Sequence, residues 1–251
     1  VSQQSFNEYT ICSKCNQIKL MLLAIDTTNK NSGIALIDKN KTIVELIEWN
    51  TTYNHTPDLL PNIHKILTNS KLTFRDLHGI SINIGPGQFS GLRVGLTTAK
   101  TISWSYNLPL VTSTSLEVEA YSHQNFDGIV CPVILLNKLQ IAWSMYNFQL
   151  DTLPEIYETH IDTIDTFSDN IKLAIEQSTL YEQNFILCGD SISNFIKLEI
   201  NNKYRFMNST SSERIINLAT IGLEKLNNNE IADTTIIEPF YLKPPTITKP
   251  K

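Results

Sequence analysis

Two short stretches carry the residue types that could do chemistry. In LLAID (Leu22–Asp26) an apolar run ends in a carboxylate, and Thr27, Thr28 and Ser32 follow before Gly33. A carboxylate is what a hard cation such as Mg²⁺ takes, usually through the waters it retains. A phosphate-wrapping turn also needs glycine close behind the carboxylate. Here the only glycine comes late, so the turn chemistry favours an Asp-Thr turn capped by its own side chains. The second stretch is INIGPGQFSGLRVGLTTAKTIS (Ile82–Ser103). Gly85 and Gly87 bracket Pro86, and Gly91 lies where a helical pattern begins, a place where free N–H groups can bind an anion. Asp26, Thr27, Gly85, Gly87 and Arg93 are therefore the candidate nucleotide-binding residues. The signal is weak. No Lys-Ser/Thr pair follows the glycines as in a Walker A loop, and the spacing is not G-x-G-x-x-G. GQFSG is not the G-x-S-x-G nucleophile elbow either, and no catalytic residue is assigned.

The same stretch has a second property. Gly91, Gly95, Ala99 and Ser103 recur every four residues, which makes one ridge of very small side chains along a helix. Glycine inside a helix costs about 1 kcal/mol relative to alanine, so something must pack closely there. That neighbour is either the chain's own sheet or the helix of another subunit, since both exploit a small-residue ridge. Arg93 lies off the ridge, free to meet a carboxylate or a phosphate.

Metal chemistry is poorly supported. Cys12 and Cys15 form a CSKC pair, half of a zinc site, but Cys131 and Cys188 are single and distant. They sit in the apolar runs IVCPVI and FILCGD, where a free cysteine acts as a small hydrophobe. His55 and His64 are nine residues apart, which turns their rings to different faces of a helix. No metal site is expected.

The elements that must hold these residues follow from periodicity. LLAID, IALID and TIVELIEW read as an antiparallel meander. HTPDLLPNIHKILTNS reads as a helix, with Thr56 as N-cap, Pro57 in the first turn and an apolar stripe of Leu59, Ile63, Ile66 and Leu67. GISINIG is a strand, SGLRVGLTTAKTISWSYN a helix, and LPLVTSTSLEVEAYSH a strand and then a helix. IVCPVILLN and IAWSMYNFQL pair through a turn at Asn137–Gln140. IDTFSDNIKLAIEQS is a helix, NFILCGD a strand and SERIINLATIGLEKLNNNE a helix, before a Pro-rich ending. Residues 1–20 read as an extension outside the folded part, disordered or carried over from upstream sequence, with Met21 just ahead of the first strand. The order of these elements is α/β, and the 251 residues are 41% hydrophobic and 18% charged, an ordinary globular composition with a net charge of -5. Their basic residues are scattered, which argues against a stand-alone nucleic-acid binder. No apolar run is long enough to span a bilayer, and the chain is expected to be cytoplasmic.

LLAIDTTNKNSGIALI, HTPDLLPNIHKIL, GPGQFSGLRVGLTTAK, LPLVTSTSLE and PFYLKPP occur in the order found in the TsaB (YeaZ) family, which this sequence resembles over most of Met21–Pro245. The match is dense through Glu117 and thin afterwards. The resemblance implies a two-lobed actin/Hsp70/sugar-kinase-like (ASKHA, ribonuclease H-like) fold with a mixed β-sheet in each lobe. It implies a non-catalytic scaffold subunit in tRNA N6-threonylcarbamoyladenosine synthesis, a heterodimer with TsaD and contact with the ATPase TsaE. TsaD transfers the threonylcarbamoyl group to the adenosine beside the anticodon. Transfer-RNA would be held mainly by the complex, and the chain alone could pair as a homodimer. In the superfamily the acidic residue that ends the first strand orients metal-bound water near nucleotide phosphates, the role Asp26 would have. No intrinsic cofactor is expected; ATP or ADP with Mg²⁺ would sit at the subunit junction. The metal-binding His-x-x-x-His pair of TsaD is absent, and a D-A-R run of the family is replaced by Asn137 and Lys138.

The resemblance also implies that the helical face of the first lobe is a subunit interface. Leu59, Leu60, Ile63, Gly91, Gly95, Ala99 and Ser103 are the expected contacts, and a large residue at Gly95 is expected to abolish the complex while sparing the fold. The expected division is 21–108 as first lobe and 109–251 as second, the last helix being a candidate to pack back on the first. The rival expectation is an enzyme of the same fold, a small-molecule kinase or ATPase using Asp26, the Gly85–Gly91 loop and Asp190.

Overall fold

The computed structural model describes residues 20–51, 56–149, 155–177, 184–189, 204–208 and 210–242. Asp190, His55, Cys12, Cys15 and the expected N-terminal extension through residue 19 lie outside these.

The first apolar runs form strands β1 (Met21–Asp26), β2 (Asn31–Asp38) and β3 (Ile43–Asn50). Helix α1 (Thr56–Asn69) follows, then β4 (Gly79–Asn83), α2 (Phe89–Tyr106), β5 (Leu110–Ser113) and the short α3 (Ser115–Tyr121). These strands make one five-stranded sheet in the order β3-β2-β1-β4-β5. The meander is antiparallel, whereas β4 and β5 run parallel to β1.

The second half repeats this plan. Strands β6 (Ile129–Leu135), β7 (Gln140–Tyr146) and β8 (Glu155–Thr163) are an antiparallel meander. After α4 (Ile164–Gln177), strands β9 (Phe185–Gly189) and β10 (Tyr204–Asn208) add in parallel. The order is β8-β7-β6-β9-β10, the same as in the first sheet with every strand five places later. The two-lobed fold with a mixed sheet in each lobe is thus visible as a duplication of topology, without a repeat of residues. Helix α5 (Ser211–Asn227) closes the set of elements.

Each sheet buries both faces. On one side of the first sheet Leu59, Ile63 and Ile66 of α1 and Leu96, Ala99 and Ile102 of α2 meet Leu23, Ile25, Ile34, Leu36, Ile80 and Ile82. On the other side Ile215, Leu218, Ala219 and Ile221 of α5 cover Leu22, Ala24, Ala35 and Ile37. In the second sheet Phe167 and Ile171 of α4 pack against Ile129, Trp143 and Leu187. Its opposite face takes Leu116 and Ala120 of α3, with Val130, Ile186 and Cys188. Val118 of α3 points instead into the cluster under α5, so α3 is shared between the two halves.

The boundary expected at residue 108 does not follow the sheets. Strand β5 pairs with β4, Ile80 opposite Leu110 and Asn83 opposite Ser113, and so belongs to the first sheet. Helix α5 lies on that sheet as well, and the following segment returns to it. Ala232 N donates to Leu110 O and Phe240 N to Ile84 O. Asn137, where the family run departs, serves its turn: its Oδ1 accepts from the N–H groups of Leu139 and Gln140.

Candidate functional site

The two stretches singled out in the sequence meet at the carboxyl ends of β1 and β4. Asp26 is 1% exposed. Its Oδ1 accepts from both the N–H (2.9 Å) and the hydroxyl (2.7 Å) of Thr28, which is the self-capped turn the spacing suggests. Its Oδ2 faces Asn83 Nδ2 and the Arg214 guanidinium, each at 3.3 Å. Arg214 comes from α5, 188 positions along the chain. It also donates to Asn31 O and lies 3.7 Å from Glu119 Oε1 of α3. Asp26, Arg214 and Glu119 are all buried, so three charges from three elements form one network where the halves meet.

Around this network the β1–β2 turn is tied to the start of α2 and to the turn before it. Thr27 is fully buried and donates its hydroxyl to Gly91 O at 2.7 Å. Gln88 N donates to Thr28 O at 2.6 Å, which clamps the Gly85–Gln88 turn onto the β1–β2 turn. A Cβ on Gly87 would overlap the Thr28 carbonyl, and this backbone-to-backbone approach is why glycine stands there. Gly85 adopts φ +108°, a conformation open to glycine, and donates its N–H to Asn83 Oδ1. Ser115 Oγ donates to the same oxygen. The five candidate nucleotide residues therefore split. Asp26, Thr27, Gly85 and Gly87 come together as a closed hydrogen-bonded corner, and Arg93 lies elsewhere on the outer face of α2. A Mg²⁺–nucleotide does not fit this corner, because the carboxylate already has its donors and a buried guanidinium would face any added cation.

The small-residue ridge of α2 faces inward. Gly91, Gly95, Ala99 and Ser103 are buried. A Cβ on Gly95 would overlap Thr27 Oγ1 and come within 3.3 Å of Ile82. Ser103 Oγ donates to Leu108 O at 2.6 Å. Leu59 and Ile63 are likewise in the core, at 1% and 0% exposure. Six of the seven expected interface residues are thus buried within this chain, and at Gly95 the ridge lets α2 approach Thr27 and Ile82 of β4. Leu60 alone is on the surface, at 55%.

What α1 and α2 present outward was not singled out in the sequence. Trp104 is 85% exposed. Tyr106 stacks on Phe74 of the 3-10 turn Phe74–Asp76, centroids 5.0 Å apart. At the other end of α2, Arg93 lies 4.0 Å above the Phe89 ring and donates Nε–H to Tyr241 Oη at 3.0 Å. Phe89 and Tyr241 are themselves 5.1 Å apart.

The cysteines of the second sheet are structural. Cys131 and Cys188 are free and buried, and desolvation pushes both thiols well up from their ordinary range. Burial, and then the Glu224 carboxylate that Tyr121 donates to at 2.8 Å, raise the Tyr121 phenol likewise. Among the described residues no group of three or more His, Cys, Asp or Glu could hold a metal ion.

The family model of TsaD, the tRNA N6-adenosine threonylcarbamoyltransferase, matches residues 50–245. The tRNA threonylcarbamoyladenosine biosynthesis protein TsaB of Buchnera aphidicola (subspecies Baizongia pistaciae) is 30% identical over 179 residues, which are 70% of this chain and 77% of that relative. The chain belongs to the TsaB branch of the TsaD family. TsaB of Bacillus subtilis is 33% identical over 137 residues, 55% of this chain, and the alignment spans 59% of the relative's own length. The solved structure of YeaZ from Pseudomonas aeruginosa superposes with a TM-score of 0.67 at 16% identity, covering 89% of this chain and all of that one. The TsaB-like fold is therefore shared across a wide divergence of sequence. Within this TsaB-family chain the buried Arg214–Asp26–Glu119 network and Asn83 went unnoticed in the sequence. Only the amphipathic reading of α5 could have raised Arg214, which stands in its first turn beside Ile215.

Proposed function

We propose that this chain is an accessory subunit of tRNA threonylcarbamoyladenosine synthesis. It binds TsaD through the outer face of α1 and α2 and supports that enzyme's transfer of threonylcarbamoyl to the adenosine beside the anticodon. The chain itself carries out no bond-making step. TsaE, tRNA and nucleotide meet the assembly at its junctions, in the cytoplasm. The observation that carries this reading is the corner at Asp26. There the position that a phosphate-handling relative would keep open is filled by Arg214 at 3.3 Å. A chain whose own corner is closed, in a family that makes modified tRNA, is best used as a scaffold. The exposed Trp104 and Leu60 supply apolar anchors of the kind that concentrate binding energy at interfaces. Among the described residues no helix is long and apolar enough to cross a membrane.

The test is reconstitution of TsaD, TsaE, threonylcarbamoyl-adenylate and tRNA, with and without this chain. Modified tRNA is expected only when the chain is present, with no ATP turnover by the chain alone. Equal modification in its absence, or ATP hydrolysis by the pure chain that is lost in Asp26→Ala, would overturn the scaffold reading.

A further inference from the structure

The connection between the two sheets carries a dipeptide found nowhere else in the chain. Of the nine glycines only Gly128 follows an aspartate or an asparagine, and that residue is Asp127. The pair stands between α3 and β6, where the chain passes from the first sheet to the second. Gly128 has φ +148°, and a Cβ there would overlap the Asn184 carbonyl and the Phe126 ring. The fold therefore needs glycine at this position. Both neighbours of the pair are anchored. Phe126 N donates to His123 O at 2.9 Å, and its ring packs on the cluster of Leu116, Ala120 and Ile186. Ile129 N donates to Asn184 O at 2.8 Å and opens the pairing of β6 with β9.

Nothing comparable holds the pair itself. Asp127 is exposed, and among the described residues no group donates to its carboxylate and the Gly128 N–H has no acceptor. The other described aspartates are engaged in one of two ways. They accept hydrogen bonds, as Asp26, Asp38 and Asp162 do, or they lie in helices, as Asp58, Asp165 and Asp169 do. The Gly128 nitrogen has no hydrogen bond to break and no side chain of its own to crowd an approach to the neighbouring carboxyl carbon.

We propose that Asp127–Gly128 is a self-modification site, which converts to isoaspartate in the folded chain. The Gly128 nitrogen attacks Asp127 Cγ. The N–Cγ bond forms, the N–H proton and the carboxyl hydroxyl leave together as water, and a cyclic imide results. Water then opens the ring at either carbonyl. Opening at Cγ restores aspartate. Opening at the main-chain carbonyl breaks its bond to nitrogen, and the main chain then runs through Cβ and Cγ. Water is the only co-reactant, and the mass of the chain is unchanged. The isoaspartyl link adds one carbon–carbon bond of about 1.5 Å to the main chain, between the anchored Phe126 and Ile129. It also leaves a carboxylate on Asp127 Cα where a peptide carbonyl stood. The joint between the sheets is loosened as a result. This ageing of the joint does not depend on the scaffold reading.

In the test, the folded full chain is held at physiological temperature in water enriched in heavy oxygen and then digested. Each aspartyl peptide is read by mass spectrometry and by methylation with an isoaspartate-specific carboxyl methyltransferase. Heavy oxygen and isoaspartate are expected at residue 127 ahead of every other aspartate. Asp127→Asn, which forms the same imide with loss of ammonia, is expected to accumulate isoaspartate faster. Asp127→Glu, whose ring would be one atom larger, is expected to accumulate none and to melt with the wild type, because the carboxylate holds no bond. The separated isoaspartyl form is expected to melt a few degrees lower. Conversion at residue 127 no faster than at Asp165, or conversion seen only after unfolding in urea, would overturn the proposal. So would an Asp127→Asn variant that stays intact while folded, because the joint would then be holding the nitrogen away from Cγ. An isoaspartyl form that melts with the wild type would overturn the effect on the joint.

Discussion

Arg214 shows how one side chain can close a corner that the fold could otherwise leave open. Its guanidinium faces Asp26 and Glu119 with all three side chains buried. A buried ion pair contributes little net stability when intact, but removing one partner strands the others in low dielectric at a cost of about 3–5 kcal/mol. Arg214→Met should therefore destabilise the chain by about that amount in urea titrations, with no gain of ATP binding, because Thr28 and Gln88 still close the turn. A loss under about 1 kcal/mol would mean that the guanidinium is dispensable to the corner. Gly95 gives the complementary case. Leucine there would drive its Cβ into Thr27 Oγ1 and the side chain into Ile82. The expected result is a fold destabilised by about 1–3 kcal/mol or more, with any loss of partner binding following from it. A stable Gly95→Leu monomer that had lost only its partner would return the ridge to the interface.

At the level of elements, α2 divides its work between two faces. The inner face is fixed by the small-residue ridge, and the outer face carries Trp104 and Arg93. Trp104 is 85% exposed, so truncating it removes little from the core of this chain. Trp104→Ala should change stability by less than about 0.5 kcal/mol and weaken TsaD binding by about thirtyfold, the behaviour of an interface hot spot. Unchanged affinity would move the docking face away from α2. The ridge itself was readable, because a repeat of four small residues has few causes. Its neighbour was not, because close approach to a sheet and close approach to a helix leave the same mark on one sequence. Strands β1, β2, β4 and β5 of the first sheet were readable as apolar runs, buried on both sides. Strands β8 and β10 were not. Both lie at sheet edges, and β8, EIYETHIDT, alternates half-exposed positions with charged ones instead of showing an apolar run. Arg214 was invisible for a related reason: an arginine in the first turn of an amphipathic helix looks solvated until a distant carboxylate is placed beside it.

The molecule as a whole is two copies of one sheet plan that do not stand apart. Helix α3 gives Leu116 and Ala120 to the second sheet and Val118 to the cluster under α5. Helix α5 follows the second sheet in sequence yet covers the first, where Ile215, Leu218, Ala219, Ile221 and Leu223 are all buried. Lys225 near its end pairs with Glu117 of α3 at 2.8 Å, and Lys41 of the first lobe reaches Glu224 of α5. The first lobe thus depends on a helix encoded about 90 residues beyond α3. Residues 21–121 alone would leave one face of their sheet, with Leu22, Ala24, Ala35 and Ile37, open to water. Each such side chain left exposed forgoes about 1.5–3 kcal/mol of burial, alanine less, which is comparable with the whole margin of a small domain. That fragment is expected to lack a cooperative thermal transition by circular dichroism. The same fragment joined by a flexible linker to residues 210–242 should recover one, because α5 restores the cover and Arg214 restores the partner of Asp26. If the fragment without α5 melts cooperatively, the first lobe is an autonomous domain, and the crossing of α5 is a packing detail with no part in its stability.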